Sequence, residues 1–325
     1  MQSELTRRVF LKKIGLLGAG VAVSSLGVIS VISAESEYPE ISRQFLTMGT
    51  LLQITVRGMS RGHAEDVIAD AYESVLPEVE ILNRHSSASA LSVLNSNGHL
   101  KNPPESLRRV LTKSLAVYRG TRGAFNPSVA PVVQLLEKGI SLSPSDQRDL
   151  QKLQNMDSVT VSPQHITLGS REMRLTLDGI GKGYVVDMLS KRLTELGAGT
   201  HLVNAGGDIV ARTAESSQEP WRIGIQSPVQ EGIVSTVSLR NAAIATSGNY
   251  EQKFSHIIPH AGLSRLPLST SVVAQSCVTA DALATAAFAN PAAVDACTLI
   301  VDETGKMQRS TFWVRDITEF ENKRG

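Results

Sequence analysis

The chain has 325 residues, 42% hydrophobic and 19% charged, with 32 basic against 31 acidic side chains. That length buries a full core, as one large domain or two intimate lobes, and a net charge of +1 leaves no electrostatic footprint for nucleic acid. Two cysteines, Cys277 and Cys297, are too few for a disulfide framework, and each stands among apolar residues, the setting of buried free thiols.

Residues 6–13 read TRRVFLKK, a twin arginine followed by Phe10, Leu11 and Lys12. An uncharged stretch then runs from Ile14 to Ala34 and ends in the small-residue sequence ISA. A membrane-anchoring helix is one reading, but Gly15, Gly18, Gly20, Gly27 and several serines leave the stretch only weakly apolar. The Arg-Arg-x-Phe-Leu-Lys order reads instead as a twin-arginine export signal over residues 1–34, with a domain from 35 to 325. The expected location is periplasmic, reached through the twin-arginine export machinery, with membrane association where the signal is retained. No cysteine flanks the cleavage site, so no lipid anchor is expected. The signal carries three net positive charges, which takes the remaining 291 residues from +1 to near −2. An exported location permits a bond between the two cysteines.

FLTMGTLLQITVRG, residues 45–58, reads as a strand pair or a bulged strand. Residues 62–85 carry Ala64, Val67, Ile68, Ala71, Val75, Val79 and Leu82 at helical spacing, with Pro77 expected to bend or break the helix. Residues 103–120 open on Pro and Glu and close on Gly, the boundary signals of a helix. A short helix follows over 128–138, then a charged surface helix over 143–154 capped by Ser143 or Ser145. The second half changes to short β-rich runs: SVTVS, HITL, MRLTL, THLVNAGG, WRIGIQ, STVSL, AIATS, SVVAQS, TLIVD and FWVR. Only two helices interrupt them, over 181–197 and 278–289, which argues for α+β rather than a doubly wound parallel sheet.

LTLDGIGKGYVVD, residues 175–187, reads as a strand end, a tight turn and a helix start. A Walker A loop needs Gly where Thr176 stands and Ser or Thr where Gly183 stands. The dinucleotide fingerprint needs G-x-G-x-x-G, whereas Gly179, Gly181 and Gly183 are spaced G-x-G-x-G. What remains is a generic anion site of free N–H groups beside Lys182, or a turn that uses glycine for close packing. LVNAGGDIV (202–210) ends a second strand in paired glycines before Asp208, and AIATSGNY (243–250) runs a third into Thr246, Ser247 and Gly248. TADALATA (279–286) sets Asp281 and Thr285 one helical turn apart. A carboxylate and a hydroxyl so placed suit a hard cation such as Mg²⁺; a helix-start aspartate and a packing threonine have the same spacing.

These segments, in this order, resemble the ApbE family, the FAD:protein FMN transferases. The glycine-lysine, Asn-Ala-Gly-Gly-Asp and Ala-Thr-Ser-Gly motifs are matched by LTLDGIGKGYVVD, LVNAGGDI and AIATSGNY. SHIIPHAG is similar to the family's His-Ile-Ile stretch and TADALATAAF to its Ala-Asp-Ala-Leu-Ala-Thr helix. MGT (48–50), SALSVLN (89–95), GAFNPSVAPVV (123–133) and WRIGIQSP (221–228) match more weakly, so the resemblance spans essentially the whole chain after the signal.

The resemblance implies an α+β, ApbE-like fold of T-fold-like mixed sheets with packed helices, a single large domain of two intimate lobes. It implies an enzyme that binds FAD as substrate and Mg²⁺. The FMN half moves onto a Ser or Thr of a target flavoprotein, releasing AMP and leaving a phosphodiester. The metal is implied at the Asp281 carboxylate, the Thr285 hydroxyl and the Gly181 carbonyl, with Lys182 neutralising the phosphates and His256 as general base. Flavin and FAD contacts are implied at Met48, His85, Ala124, Phe125, Asn126, Thr176, Asp178, Gly206, Thr246, Ser247 and Gly248. Thr176 and Asn126 stand where the family commonly has acidic residues, and HIIPH is one residue short and lacks an aspartate. Two other readings stay open: an exported FAD carrier similar to the maturation factors of nitrous oxide reductase, and an FAD pyrophosphatase.

Overall fold

The computed structural model describes residues 40–215, 217, 219–248, 257–260 and 265–313. The export-signal segment and His256 lie outside them. The chain begins in a hairpin of β1 (Glu40–Thr47) and β2 (Thr50–Arg57), so 45–58 is a strand pair. Thr47 pairs with Thr50, leaving Met48 and Gly49 as a two-residue loop with φ of 51° and 70°. Two successive left-handed residues match the twist of a tight hairpin. The same device recurs between β6 (Thr200–Ala205) and β7 (Asp208–Arg212), where Gly206 and Gly207 have φ of 62° and 100°.

These strands join β10 (Ala242–Gly248), β11 (Ser269–Ala274), β12 (Cys297–Val301) and β13 (Met307–Arg309). The eight-stranded sheet has the order β1-β2-β6-β7-β10-β11-β12-β13, antiparallel throughout. Two small antiparallel sheets complete the set. One pairs β8 (Trp221–Gln226) with β9 (Ile233–Leu239), and the other joins β3 (His99–Lys101), β4 (Thr160–Val161) and β5 (His165–Thr167).

The period of two along the strands sends alternate residues into different cores. Val203, Ala205, Val210 and Ala243 pack against helices α1 (Arg61–Leu82), α3 (Glu105–Gly120), α6 (Gly181–Glu195) and α7 (Cys277–Ala289). Leu202, Ile209, Ala211 and Ile244 pack on the other face with Trp221, Ile223 and Leu239 of the β8–β9 hairpin. The two lobes are therefore the two faces of one sheet, and the α+β reading holds. Helices α2 (Ala90–Asn97), α4 (Ala130–Glu137) and α5 (Pro144–Gln151) are short. Ser143 caps α5 in a full capping box with Asp146. Both cysteines are buried thiols. Among the described residues no helix is long and apolar enough to cross a membrane.

Three local expectations are corrected. Helix α1 runs unbroken through Pro77, which sits on its exposed face, while Ala71, Val75 and Leu82 anchor the buried face on both sides. MRLTL is not a strand, although it alternates. The Leu175 N–H and carbonyl are taken by the side-chain amide of Asn95, and the Thr176 N–H goes to the Pro127 carbonyl. The glycine turn is thus entered from an irregular segment. FWVR begins in a turn, and its last two residues lie outside the described ones.

His201 ties α6 to the sheet. Its Nδ1 donates to the Ala198 carbonyl at 2.6 Å, which leaves Nε2 to accept the Ser190 hydroxyl at 2.7 Å. Burial, against the pull of the Ala198 bond and with the help of Arg212, holds the imidazole down to about 4. The unfolded chain protonates near 6.5, so it binds more protons than the native state between these values. The contribution is complete above pH 6.5 and is lost as pH falls toward 4, at about 1.4 kcal/mol per unit and about 3 kcal/mol in all. Denaturant unfolding from pH 4.5 to 7.5 is expected to show this loss, and His201→Gln to flatten it. An equal slope in the variant would assign the acid sensitivity elsewhere.

Candidate functional site

The two glycine-bearing hairpin tips abut. A Cβ on Gly206 would lie 2.3 Å from Thr50 Oγ1, so only glycine lets the β6–β7 tip meet the β1–β2 tip. Beside them opens a cleft of about 630 Å³. Met48, Ala124, Phe125, Asn126, Thr176, Asp178, Lys182, Gly206, Thr246, Ser247, Gly248, Asp281 and Thr285 all line it. Segments scattered over more than 230 positions converge on one cleft, as their grouping in sequence motifs suggested.

Two expected residues are placed differently. His85 is exposed and does not line the cleft; its neighbour Arg84 reaches inward instead, 2.7 Å from Asp178 and also paired with Glu137. The loop spends its cation on Asp178, which leaves His85 facing out. Gly181 begins α6, is buried, and does not line the cleft, whereas Gly179 does. A Cβ on Gly179 would stand 2.7 Å from Thr285 Oγ1, so that glycine makes room for the Thr285 hydroxyl. Asn126 is spent on its own loop: Oδ1 accepts from the Ser128 N–H and hydroxyl, and Nδ2 donates to the Gln154 carbonyl. Thr176 accepts the Asp178 N–H at 3.2 Å and shapes the turn.

Lys182, in the first turn of α6, sits with Nζ 2.7 Å from Asp208 Oδ2. Asp208 is buried in β7, directly after the paired glycines. Burial works against the Lys182 ammonium, but Asp208 and then Asp281 outweigh it and hold the group above the ordinary lysine range. Asp281 is 3% exposed on α7, and its Oδ2 accepts the Gly183 N–H at 3.0 Å. Burial, then the Asp208 charge, push its carboxyl up to about 8 against the pull of Lys182 and the Gly183 N–H. Thr285 Oγ1 lies 3.4 Å from Ser247 Oγ, and Thr246 Oγ1 lies 2.8 Å from Ser271 Oγ.

Two buried carboxylates thus share one ammonium, beside a row of hydroxyls. One ammonium does not hold both carboxylates ionised, so the pair calls for a second cation, and the hard oxygen donors of Asp281, Thr285 and Ser247 suit a divalent ion such as Mg²⁺. Among the described residues no three His, Cys, Asp or Glu side chains gather as a metal set. A cation here would take its remaining ligands from water and from a phosphorylated ligand, as Mg²⁺ commonly does.

Thr50 and His260 also line the cleft, and Asp208 and Arg84 support it by pairing with Lys182 and Asp178. Asp208 follows the glycine pair and was visible as a motif member; its pairing with Lys182 was not. His260 lines the cleft, with Nε2 3.7 Å from the place of a Gly123 Cβ, and its backbone N–H donates to the Ala289 carbonyl.

The sequence model of the ApbE family matches residues 48–306. An FAD:protein FMN transferase of Haemophilus influenzae is 27% identical over 294 residues, covering 80% of this chain and 83% of that protein. One of Treponema pallidum is 29% identical over 307 residues, covering 83% and 84%. The solved ApbE protein of Thermotoga maritima superposes with a TM-score of 0.73 at 23% identity, over 85% of this chain and 97% of that one. The flavin transferase ApbE of Vibrio cholerae gives 0.71 at 22% identity, over 84% and 98%. These likenesses establish the shared fold.

Proposed function

Because the chain belongs to the ApbE family, we propose that it transfers the FMN half of FAD to a Ser or Thr side chain of a target flavoprotein. AMP leaves and a phosphodiester remains. The observation that carries this reading is the convergence of Lys182, Asp281 and Thr285 on a cleft large enough for a dinucleotide, with Lys182 held from below by the buried Asp208. Relatives named FAD:protein FMN transferase support the activity.

In this reading the acceptor hydroxyl oxygen attacks the FMN-side phosphorus. The bridging P–O bond breaks, and AMP departs with the bonding electrons. Charge develops on the bridging and equatorial oxygens. Lys182, held charged by Asp208, faces that charge at a fixed position, because its partner is buried in β7. Preorganised charge in a part-buried site stabilises it without reorganisation. Mg²⁺, held by Asp281 and Thr285, would supply Lewis-acid stabilisation of the same oxygens. Ser247 supports the Thr285 hydroxyl. The hydroxyl proton goes to a general base, for which His256 is the candidate by motif. Met48 and Phe125 offer the apolar wall on which a flavin ring packs. We place the reaction in the periplasm, after export on the twin-arginine signal.

The test mixes the chain without its signal with FAD, Mg²⁺ and an acceptor flavoprotein domain, with the acceptor residue changed to Ala as control. Intact-mass spectrometry is expected to show one added FMN on the unmodified acceptor only, with one AMP per adduct. Bound FAD with neither adduct nor AMP would identify a carrier. AMP without adduct would identify an FAD pyrophosphatase.

A further inference from the structure

Asp187 closes the glycine-rich motif yet does not line the cleft. It lies on α6, four residues beyond Gly183, so both face the same neighbour. That neighbour is α7, which runs antiparallel to α6 with Gly183 beside Asp281 and Asp187 beside Cys277. The Asp187 carboxylate accepts two N–H groups at the start of α7, Cys277 at 2.8 Å through Oδ1 and Val278 at 2.9 Å through Oδ2. In return the Asp281 carboxylate of α7 accepts the Gly183 N–H in the first turn of α6.

Neither helix is capped by its own N-cap side chain. Ile180 has no polar atom to offer, and Ser276 makes no cap bond, its hydroxyl lying 2.7 Å from Thr279 Oγ1 instead. The first N–H groups of a helix need acceptors when buried. Here each helix takes a carboxylate from the other, so the three bonds fix both the separation and the axial register of α6 against α7. Register is what the site requires. A slide of α7 along α6 carries Asp281 and Thr285 away from Lys182 and the Gly179 turn together.

We propose that Asp187 is a positioning residue for the cation and phosphate end of the cleft, locking α7 to α6 so that Asp281 and Thr285 meet Lys182. The proposal rests on the transferase reading only for its ligands. Helix capping alone would stabilise α7; the lock additionally sets where α7 stands. The two roles separate when α7 receives a cap of its own. Ser276→Asp places a carboxylate at the N-cap, the position where aspartate satisfies the first turn, without any tie to α6.

The experiment measures Mn²⁺ binding by electron paramagnetic resonance, with saturating FAD and no acceptor, alongside thermal unfolding of the same samples. Asp187→Asn is expected to weaken Mn²⁺ binding by about tenfold or more, the usual cost of losing a group that orients a metal ligand. The double variant Asp187→Asn/Ser276→Asp is expected to regain melting temperature while Mn²⁺ binding stays weak. Recovery of binding together with melting temperature would overturn the lock and leave Asp187 a helix cap. Unchanged binding in Asp187→Asn would overturn it as well. Wild-type protein that binds no Mn²⁺ in the presence of FAD would sink the metal-dependent reading of the cleft itself, an outcome distinct from a variant that binds as wild type does.

Discussion

Asp281→Asn is expected to abolish FMN transfer, by about a thousandfold or more, while leaving the protein without substrate as stable as wild type or slightly more so. The two effects have opposite signs for one reason. Asp281 is buried beside Asp208, and a single ammonium, Lys182, serves both carboxylates. Without a cation the site cannot keep both carboxylates ionised, so Asp281 takes up a proton that it would not hold in the unfolded chain, which costs folding free energy. An asparagine keeps an oxygen for the Gly183 N–H and removes the charge, so the α6 start stays capped. The same change removes the anionic donor from the row formed with Thr285 and Ser247. A thousandfold loss corresponds to about 4 kcal/mol of transition-state stabilisation, within what a bound cation supplies. Thermal unfolding without ligand and intact mass of the acceptor, read on the same preparation, check both halves. Transfer within tenfold of wild type would remove Asp281 from the chemistry. A variant that keeps or gains stability while losing transfer fits the pattern in which sites store instability for function.

What the sequence disclosed, and what it hid, follows from how each residue acts. Asp281 and Thr285 were legible because the helix period alone sets them on one face, whatever the rest of the chain does. Gly206-Gly207 was legible as a strand end because paired glycines suit a left-handed backbone, whereas Met48 carries no such signal and left 45–58 open between a strand pair and a bulged strand. Lys182 was read correctly as a site residue, but its partner Asp208 is 26 positions away, and only the docking of the β6–β7 hairpin under α6 brings them to 2.7 Å. The segment 173–177 misled because alternation is a statement about side chains, whereas strand formation depends on where the backbone bonds go. Asn95 takes the Leu175 N–H and carbonyl, so no strand pairs there. His85 misled in a similar way, since the loop's fit to the cleft is decided by Arg84 reaching Asp178. Asp187 sat in plain view at the end of the motif. Its role depends on two N–H groups about ninety residues later, which no local pattern carries.

Gly183→Ala is expected to lower the melting temperature by about 2–12 °C and to impair transfer beyond what lost stability explains. A Cβ there would lie 2.5 Å from the Cys277 carbonyl oxygen, 2.8 Å from its carbon and 2.9 Å from the Asp281 Cβ. The first two are backbone atoms of α7, which cannot rotate aside as a flexible side chain can. The methyl is accommodated only if the helices part. Overpacking of this kind costs about 1–3 kcal/mol, and each kcal/mol shifts the midpoint of a domain this size by about 2–4 °C. Gly62 supplies the contrast, since it lies in the first turn of α1 with nothing within 4 Å of a Cβ. Gly62→Ala is expected to be neutral or to gain up to about 1 kcal/mol from helix propensity. Parting α6 from α7 also draws Asp281 from the Gly183 N–H and from Lys182, because the same contact carries the carboxylate. Transfer measured well below the melting temperature of the variant separates the two effects. Normal transfer by a cold, fully folded Gly183→Ala protein would show that the cleft tolerates a shift of α7, and that the close helix contact serves the fold alone.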